Sequence, residues 1–258
     1  MFNVTRLYGE TAVQAVRRGA RAWPVIFSLV LYAGIFMVVG QLVGPLGRAG
    51  GFILGLVLAA CFSSYIHLMS QVVSGSKVGF ADLRQSFGAR FWDVVSVLFA
   101  FWIIDLILTQ VIAPASGPKG PIVIALGGLA MAVFFNPVPE LLYQGSSRSF
   151  QLLMESGRFI STHGLEWLLP NVLFAIGLLA PLGMLHGPAG LIVLNISAVL
   201  SPNNDGMGLY ALFSRAPIYL QLPMLVFVHF VMVFRGLLFG ALTRGGLRQR
   251  DLRGAWKR

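Results

Sequence analysis

Apolar and polar positions divide the chain into long apolar runs joined by short amphipathic or polar segments. The pattern is clearest over residues 80–105. Phe80, Leu83, Phe87 and Phe91 recur at helical spacing, with Asp82, Gln85, Ser86 and Arg90 between them. One apolar and one polar face predict a short helix lying flat in a membrane interface. Trp92 follows, where an indole sits at headgroup level. Residues 94–113 are then apolar for long enough to cross a bilayer.

The same unit recurs along the chain. Residues 5–20 predict an amphipathic helix with Tyr8, Ala12, Val13, Val16 and Ala20 on one side and Glu10, Gln14, Arg17, Arg18 and Arg21 on the other. Trp23-Pro24 opens a first span to residue 43, since proline is accepted in the first turn of a helix. A second span covers residues 51–72; Ser63, Ser64, His67, Ser70 and Gln71 make its second half the more polar. A fourth covers 121–143. Its small residues Gly127, Gly128 and Ala130 favour close helix approach, and Asn136, Pro137, Pro139 and Glu140 predict a kink or break.

A third interfacial helix is expected near 147–160, capped by Ser147 or Ser149. The fifth span starts at Trp167 and ends near 185. The long connection 186–216 holds the short apolar piece 191–200, read as interfacial or re-entrant, with a seventh span as the alternative; residues 201–206 read as a turn. The sixth span covers 217–242. The expected organisation is an N-terminal amphipathic segment (1–22), one six-helix membrane domain (23–242) and a basic cytoplasmic tail (243–258).

Gly19-Ala20-Arg21-Ala22-Trp23 and Gly88-Ala89-Arg90-Phe91-Trp92 match at four of five positions, 69 residues apart, and Gly157-Arg158-Phe159 with Trp167 is a weaker third copy. The fold class expected is therefore an all-α polytopic membrane protein: six transmembrane helices as three parallel repeats of an interfacial helix plus two spans. The alternative is chance recurrence, because membrane entry points favour Arg and Trp.

Composition strengthens the membrane reading. Of 258 residues, 57% are hydrophobic and 11% charged, with a mean hydropathy of +0.79; a soluble domain carries about 25% charged residues. The net charge of +10 falls in the short connecting segments, so it points to anionic lipid headgroups as partners, with a protein partner on the basic cytoplasmic face as a second option, and not to nucleic acid. Odd-numbered loops hold only Arg48, Lys119 and Arg215, which places both termini in the cytoplasm. The first apolar run is span-length with no small-residue cleavage site behind it, so no cleavable signal peptide is expected. Cys61 is the only cysteine, which excludes an intrachain disulfide and any cysteine-built zinc site.

No P-loop, dinucleotide fingerprint, His-Glu-x-x-His or Gly-x-Ser-x-Gly is present. The four histidines are too scattered for ligand spacing. Neither an enzyme, nor a cofactor, nor a metal is expected. The candidate site is instead a set of intramembrane polar residues, Asp105, His229, His67, Glu140 and Arg235, because ionisable groups in lipid are costly. At ~1.5 Å per residue, Asp105 and His229 come out level near the midplane, predicting a mutual contact, while His67, Glu140 and Arg235 form a shallower layer. The simpler reading of that shallower layer is interfacial, with Arg235 snorkelling to headgroups. Ser63, Ser64, Asn171 and Asn195 read as helix-packing groups.

The order of interfacial helix, Trp, paired spans, proline-broken fourth span and Ser-Phe helix, carried by residues 80–92 and 137–150, resembles the six-span membrane domain attached to some bacterial glycerophosphodiester phosphodiesterases, and its small uncharacterised relatives. That resemblance implies a multi-pass protein of the bacterial inner membrane tied to lipids. The family's phosphodiesterase chemistry resides in a separate soluble domain, so no catalytic residue is implied here. Two functions follow as expectations: binding or moving a lipid or small solute through a polar pocket between repeats, or acting as a non-catalytic subunit that docks a partner.

Overall fold

The computed structural model describes residues 4–144, 150–193 and 218–255. Among these residues the chain is helical and contains no strand: α1 (Val4–Arg21), α2 (Pro24–Val43), α3 (Arg48–Ser74), α4 (Phe80–Ser86), α5 (Phe91–Ile107), α6 (Ala113–Ala115), α7 (Gly120–Phe134), α8 (Val138–Gln144), α9 (Phe150–Val193) and α10 (Ile218–Ala255). Five stretches are long and apolar enough to cross a membrane: Pro24–Leu46, Ala49–Ser74, Phe91–Ala115, Gly117–Gln144 and Leu222–Thr243. They coincide with five of the six expected spans. The expected fifth span, 167–185, lies within α9, whose side chains are described only to residue 177. The proposed caps Ser147 and Ser149, Asn195, the 194–200 part of the short apolar piece and the 201–206 turn lie outside the described residues.

Local chemistry sets most helix ends. α2 starts at Pro24. α3 ends where Gly75 takes φ +90°, and the Gly75 and Ser76 N–H groups close back on Val72 and Gln71, a glycine stop that satisfies the last carbonyls. In α4 the Gly79 N–H donates to Asp82 Oδ2 at 2.7 Å. The interfacial helix expected over 80–92 is shorter than its periodicity suggests. It stops at Ser86, because Gly88 turns the chain with φ +81° before α5 begins. α5 runs through a π-helical turn (Leu108–Ile112) into α6. The expected break in the fourth span falls over residues 135–137, between α7 and α8, where Pro137 and Pro139 remove backbone donors.

Two expectations are corrected. The third interfacial helix is not a separate element. α9 continues from Phe150 to Val193 without a turn at Phe159, about 66 Å of helix at ~1.5 Å per residue. Gly157 stays helical, unlike Gly88, so this copy lacks the re-entry corner of the second. It also carries helix into 186–193, read from sequence as the start of a long connection. Likewise α10 extends unbroken past the sixth span to Ala255, so most of the basic tail prolongs that helix.

The buried face of α1 also differs. Val13 and Val16 are 52% and 56% exposed, whereas Thr11, Ala15 and Gly19 are buried. Three small residues at i, i+4 and i+8 let two backbones approach, and α1 packs on α10 along this stripe. Helix contact with α10 therefore helps to position α1, and Val13 and Val16 are left on its exposed side. Tyr8 Oη donates to the Glu166 carbonyl at 2.8 Å, and Arg18 donates to the Val73 carbonyl. Burial, then the Glu166 charge, holds the Tyr8 hydroxyl above the usual phenol value, so it remains a donor at neutral pH.

Arg18 meets the last turn of α3 at Val73. Arg90 meets the last turn of α8 in the same way, at the Leu142 carbonyl. The acceptors Val73 and Leu142 are 69 residues apart, the interval that separates Gly19 from Gly88, whereas the donors Arg18 and Arg90 are 72 apart and the repeat counterpart of Arg90 is Arg21. Cations suit the carbonyl end of a helix. Helices α3, α8 and α10 contact one another, and the core is filled there by Ile66, Leu68, Met69, Leu238 and the fully buried Trp167.

Candidate functional site

The proline break builds the site. With Pro137 and Pro139 in the chain, the carbonyl of Asn136 is turned out of a regular helical ladder and becomes available to side chains. Arg235 of α10 donates to it through Nη2 at 2.6 Å. The same guanidinium grips Glu140 of α8 at both carboxylate oxygens, Nε to Oε1 at 2.8 Å and Nη2 to Oε2 at 2.9 Å. Glu140 is 0% exposed, and the Arg235 side chain 14%. Two parallel bonds of this kind are the strong geometry for an Arg–carboxylate pair.

Trp167 of α9 completes the arrangement. Its ring lies 5.2 Å from the Arg235 guanidinium carbon, and its Nε1 donates to Asn136 Oδ1 at 2.8 Å. A cation over an indole face gains ~0.5 to 2 kcal/mol. Trp167, read from sequence as the start of the fifth span, is fully buried. Phe159 and Phe239 stack edge-on against its ring, with centroids at 5.4 and 6.0 Å.

Arg235 therefore does not snorkel outward. Glu140 and Arg235 form a buried bidentate pair, and Arg235 is held by two acceptors and an aromatic face. Taken out of water unpaired, each charge would carry a desolvation penalty of several kcal/mol; paired, they form a neutral unit. His67 does not join them. Its Nε2 lies 3.3 Å from Gln71 Nε2, one turn along α3.

Asp105 and His229 are not bonded to each other. His229 is buried, and its Nε2 lies 3.3 Å from the Gly19 carbonyl of α1. Its Nδ1 is buried without a hydrogen-bond partner. Asp105 is half-buried just before the π-helical turn. Its own carbonyl accepts from Thr109 Oγ1 at 2.8 Å, and among the described residues its carboxylate has no ion-pair partner. Counting rise along each span assumed straight, parallel helices all entering at one level. His229 instead meets α1, a partner that counting along the spans did not consider.

Two groups near the pair, Tyr143 and Tyr65, were not singled out from sequence. Tyr143, one turn beyond Glu140, is buried and lies within electrostatic reach of Glu140, Arg235 and Tyr65. Its hydroxyl abuts Gly236, where a methyl group would overlap it. Tyr65 of α3 is equally buried. The Tyr65 hydroxyl has no hydrogen-bond partner, nor does Gln71 Oε1 on the same helix; the Tyr143 hydroxyl lies beside the Gln144 side chain. The available signal was spacing: Gln71 and Glu140 are 69 residues apart, as are His67 and Asn136, so polar residues recur at the same place in the second and fourth spans.

Several other polar residues close on protein groups. Tyr32, Ser64 and Ser86 form a buried hydroxyl chain with 2.6 Å links, ending on the Leu83 carbonyl, and Ser63 Oγ accepts from the Arg90 N–H. This chain fastens α4 to α2 and α3. Asn171 donates to the Trp167 carbonyl. No cluster of three or more His, Cys, Asp or Glu suited to a metal occurs among the described residues.

In comparisons with known proteins, the chain matches no family model, no curated sequence and no solved structure.

Proposed function

We propose that the chain is a multi-pass membrane protein that binds, and passes, a lipid or small solute at the junction of α3, α8 and α10. One observation carries this reading. A buried bidentate Glu140–Arg235 pair lies at the same junction as Tyr65 of α3, whose buried hydroxyl has no hydrogen-bond partner. Polar groups in an apolar interior are ordinarily paired, so unpaired ones call for a partner. A purely scaffolding protein has no use for unpaired hydroxyls; its polar contacts would close on themselves, as the Tyr32–Ser64–Ser86 chain does.

The finer architecture belongs to the same proposal. Three repeats, six spans and two cytoplasmic termini in a bacterial inner membrane fit the loop charges and the matched arginine caps at Val73 and Leu142. The kinship with the membrane domain of glycerophosphodiester phosphodiesterases also belongs here, and it favours a lipid over a free solute.

Native mass spectrometry of the gently extracted protein tests this. The expected spectrum contains a bound lipid or solute that Arg235→Met loses. A wild-type protein that is bare, or that carries only a protein partner, rejects ligand handling and supports the scaffold.

A further inference from the structure

The N-terminal helix α1 has three sides. Thr11, Ala15 and Gly19 are buried where it packs on α10. Val13, Val16 and Ala20, spaced i, i+3 and i+7, form a second side that is exposed. Arg17 and Arg21, one turn apart, are exposed on a third. Read from sequence, Tyr8 and Ala12 share a side with the valines; in the fold they pack against the core instead.

The valine side runs on into the first span. Trp23 keeps helical backbone angles, and the Ala22 N–H donates to the Arg18 carbonyl at 3.1 Å, so the helical path carries on through the corner. There Trp23 and Phe27 meet Phe80 of α4 edge to face, with ring centroids 5.5, 5.8 and 6.1 Å apart. The three residues are 51%, 54% and 57% exposed. Beyond them the exposed side of α2 continues through Phe27, Leu31 and Val38 at helical spacing. Pro24–Leu46 is long and apolar enough to cross a membrane, so the aromatic corner stands where that span enters, the level that suits an indole.

We propose that this edge, the Val13–Val16–Ala20 side of α1 together with the Trp23–Phe27–Phe80 corner, is a docking surface for anionic phospholipid. Acyl chains lie against the valines and the rings, and phosphate oxygens take the guanidiniums of Arg17 and Arg21. Charge selects this occupant. Among the described residues neither arginine has a hydrogen-bond or ion-pair partner, whereas the nearby acid Glu10 is already held by Arg6 at 2.7 Å. Guanidinium groups favour phosphate through paired N–H bonds, and helix α1 places two of them beside an apolar side, which is the arrangement of a lipid's charged head and its chains. Continuity selects it too, because the same exposed stripe becomes the lipid-facing side of α2. The edge lies apart from the junction of α3, α8 and α10, so its assignment does not depend on a ligand there.

A bimane fluorophore on Val16→Cys reads this edge in the full chain, reconstituted in phospholipid vesicles. Cys61 is buried, so the unsubstituted chain serves as the labelling blank. The quenchers are doxyl-labelled phosphatidylglycerol, doxyl-labelled phosphatidylcholine and aqueous iodide. Phosphatidylglycerol is expected to quench several-fold more effectively than phosphatidylcholine, and iodide hardly at all. Arg17→Gln with Arg21→Gln should bring the two lipids close to parity, since each basic group at an anionic membrane surface is worth about 1 kcal/mol, or about fivefold in relative affinity. The same fluorophore on Gln14→Cys, exposed but off the valine side, should answer to iodide instead. Residues 14, 16, 17 and 21 are all exposed and off the stripe packed on α10, so these substitutions spare that contact. Equal quenching by the two lipids, or an unchanged preference in the double substitution, overturns the anionic assignment. Iodide quenching at residue 16 without lipid quenching overturns the lipid surface altogether and leaves that side to a protein partner.

Discussion

His229 Nε2 lies 3.3 Å from the carbonyl of Gly19, 210 residues away in the chain. The contact joins the end of the N-terminal helix to the last span, at a position too close for a large side chain. A Cβ built there would stand 3.6 Å from the same nitrogen, an ordinary contact with no room beyond it. Gly19→Ala should therefore be nearly neutral, while Gly19→Leu should force α1 away from α10. Overpacking of this kind costs about 1–3 kcal/mol. Thermal unfolding in detergent compares the two; equal midpoints would show that α1 is not held by this face.

Removing one partner of the buried pair should be worse than removing both. Glu140→Ala leaves an uncompensated guanidinium and is expected to cost about 3–5 kcal/mol. Glu140→Leu with Arg235→Met should recover most of that. A double-mutant cycle by denaturant unfolding gives the coupling. If the double substitution is as damaging as the sum of the single ones, the two residues do not act as a pair.

Gly236 stands where a methyl group would overlap both the Tyr143 hydroxyl and the Val73 side chain. Gly236→Ala is expected to separate α10 from α3 and α8 and to lower the unfolding midpoint. Adding Tyr143→Phe should restore only part of the loss, because Val73 still obstructs. Full restoration would mean that the hydroxyl alone sets the spacing.

Arg18 and Arg90 each donate to the last turn of a helix, at Val73 and Leu142. Arg18→Met and Arg90→Met should each cost about 1.5–3 kcal/mol, the range for a charged hydrogen bond. The caps serve different helices, so the losses should add. Strong non-additivity in chemical unfolding would reveal that the two corners move together.

Reporter fusions after residues 76 and 144 and at the C-terminus should all report cytoplasm, as the loop charges require. A periplasmic C-terminus would instead make residues 191–200 part of a seventh span.

The apolar runs were legible in the sequence because lipid demands an unbroken length of about 20 apolar residues, and length is a local property. Pro24 at a helix start and the proline break after Asn136 were legible for the same reason: proline acts on its own backbone and the turn next to it. The periodicity of 80–92 predicted a helix but not its end, since Gly88 allowed a turn that the spacing of the phenylalanines did not reveal. At Gly157 a similar motif stayed helical.

The candidate site was legible as a set of costly residues, not as a set of contacts. Glu140 and Arg235 were named from their burial cost in lipid, yet their pairing spans 95 residues and depends on how α8 and α10 cross. Depth counted along straight spans joined His229 to Asp105; the folded chain gives His229 the Gly19 carbonyl instead. The buried face of α1 likewise followed its small residues Thr11, Ala15 and Gly19, because close backbone approach to α10 needs small side chains. A sequence states what each residue costs in lipid. Which neighbour offsets that cost is a matter of helix crossing and rotation, and only tertiary packing decides it.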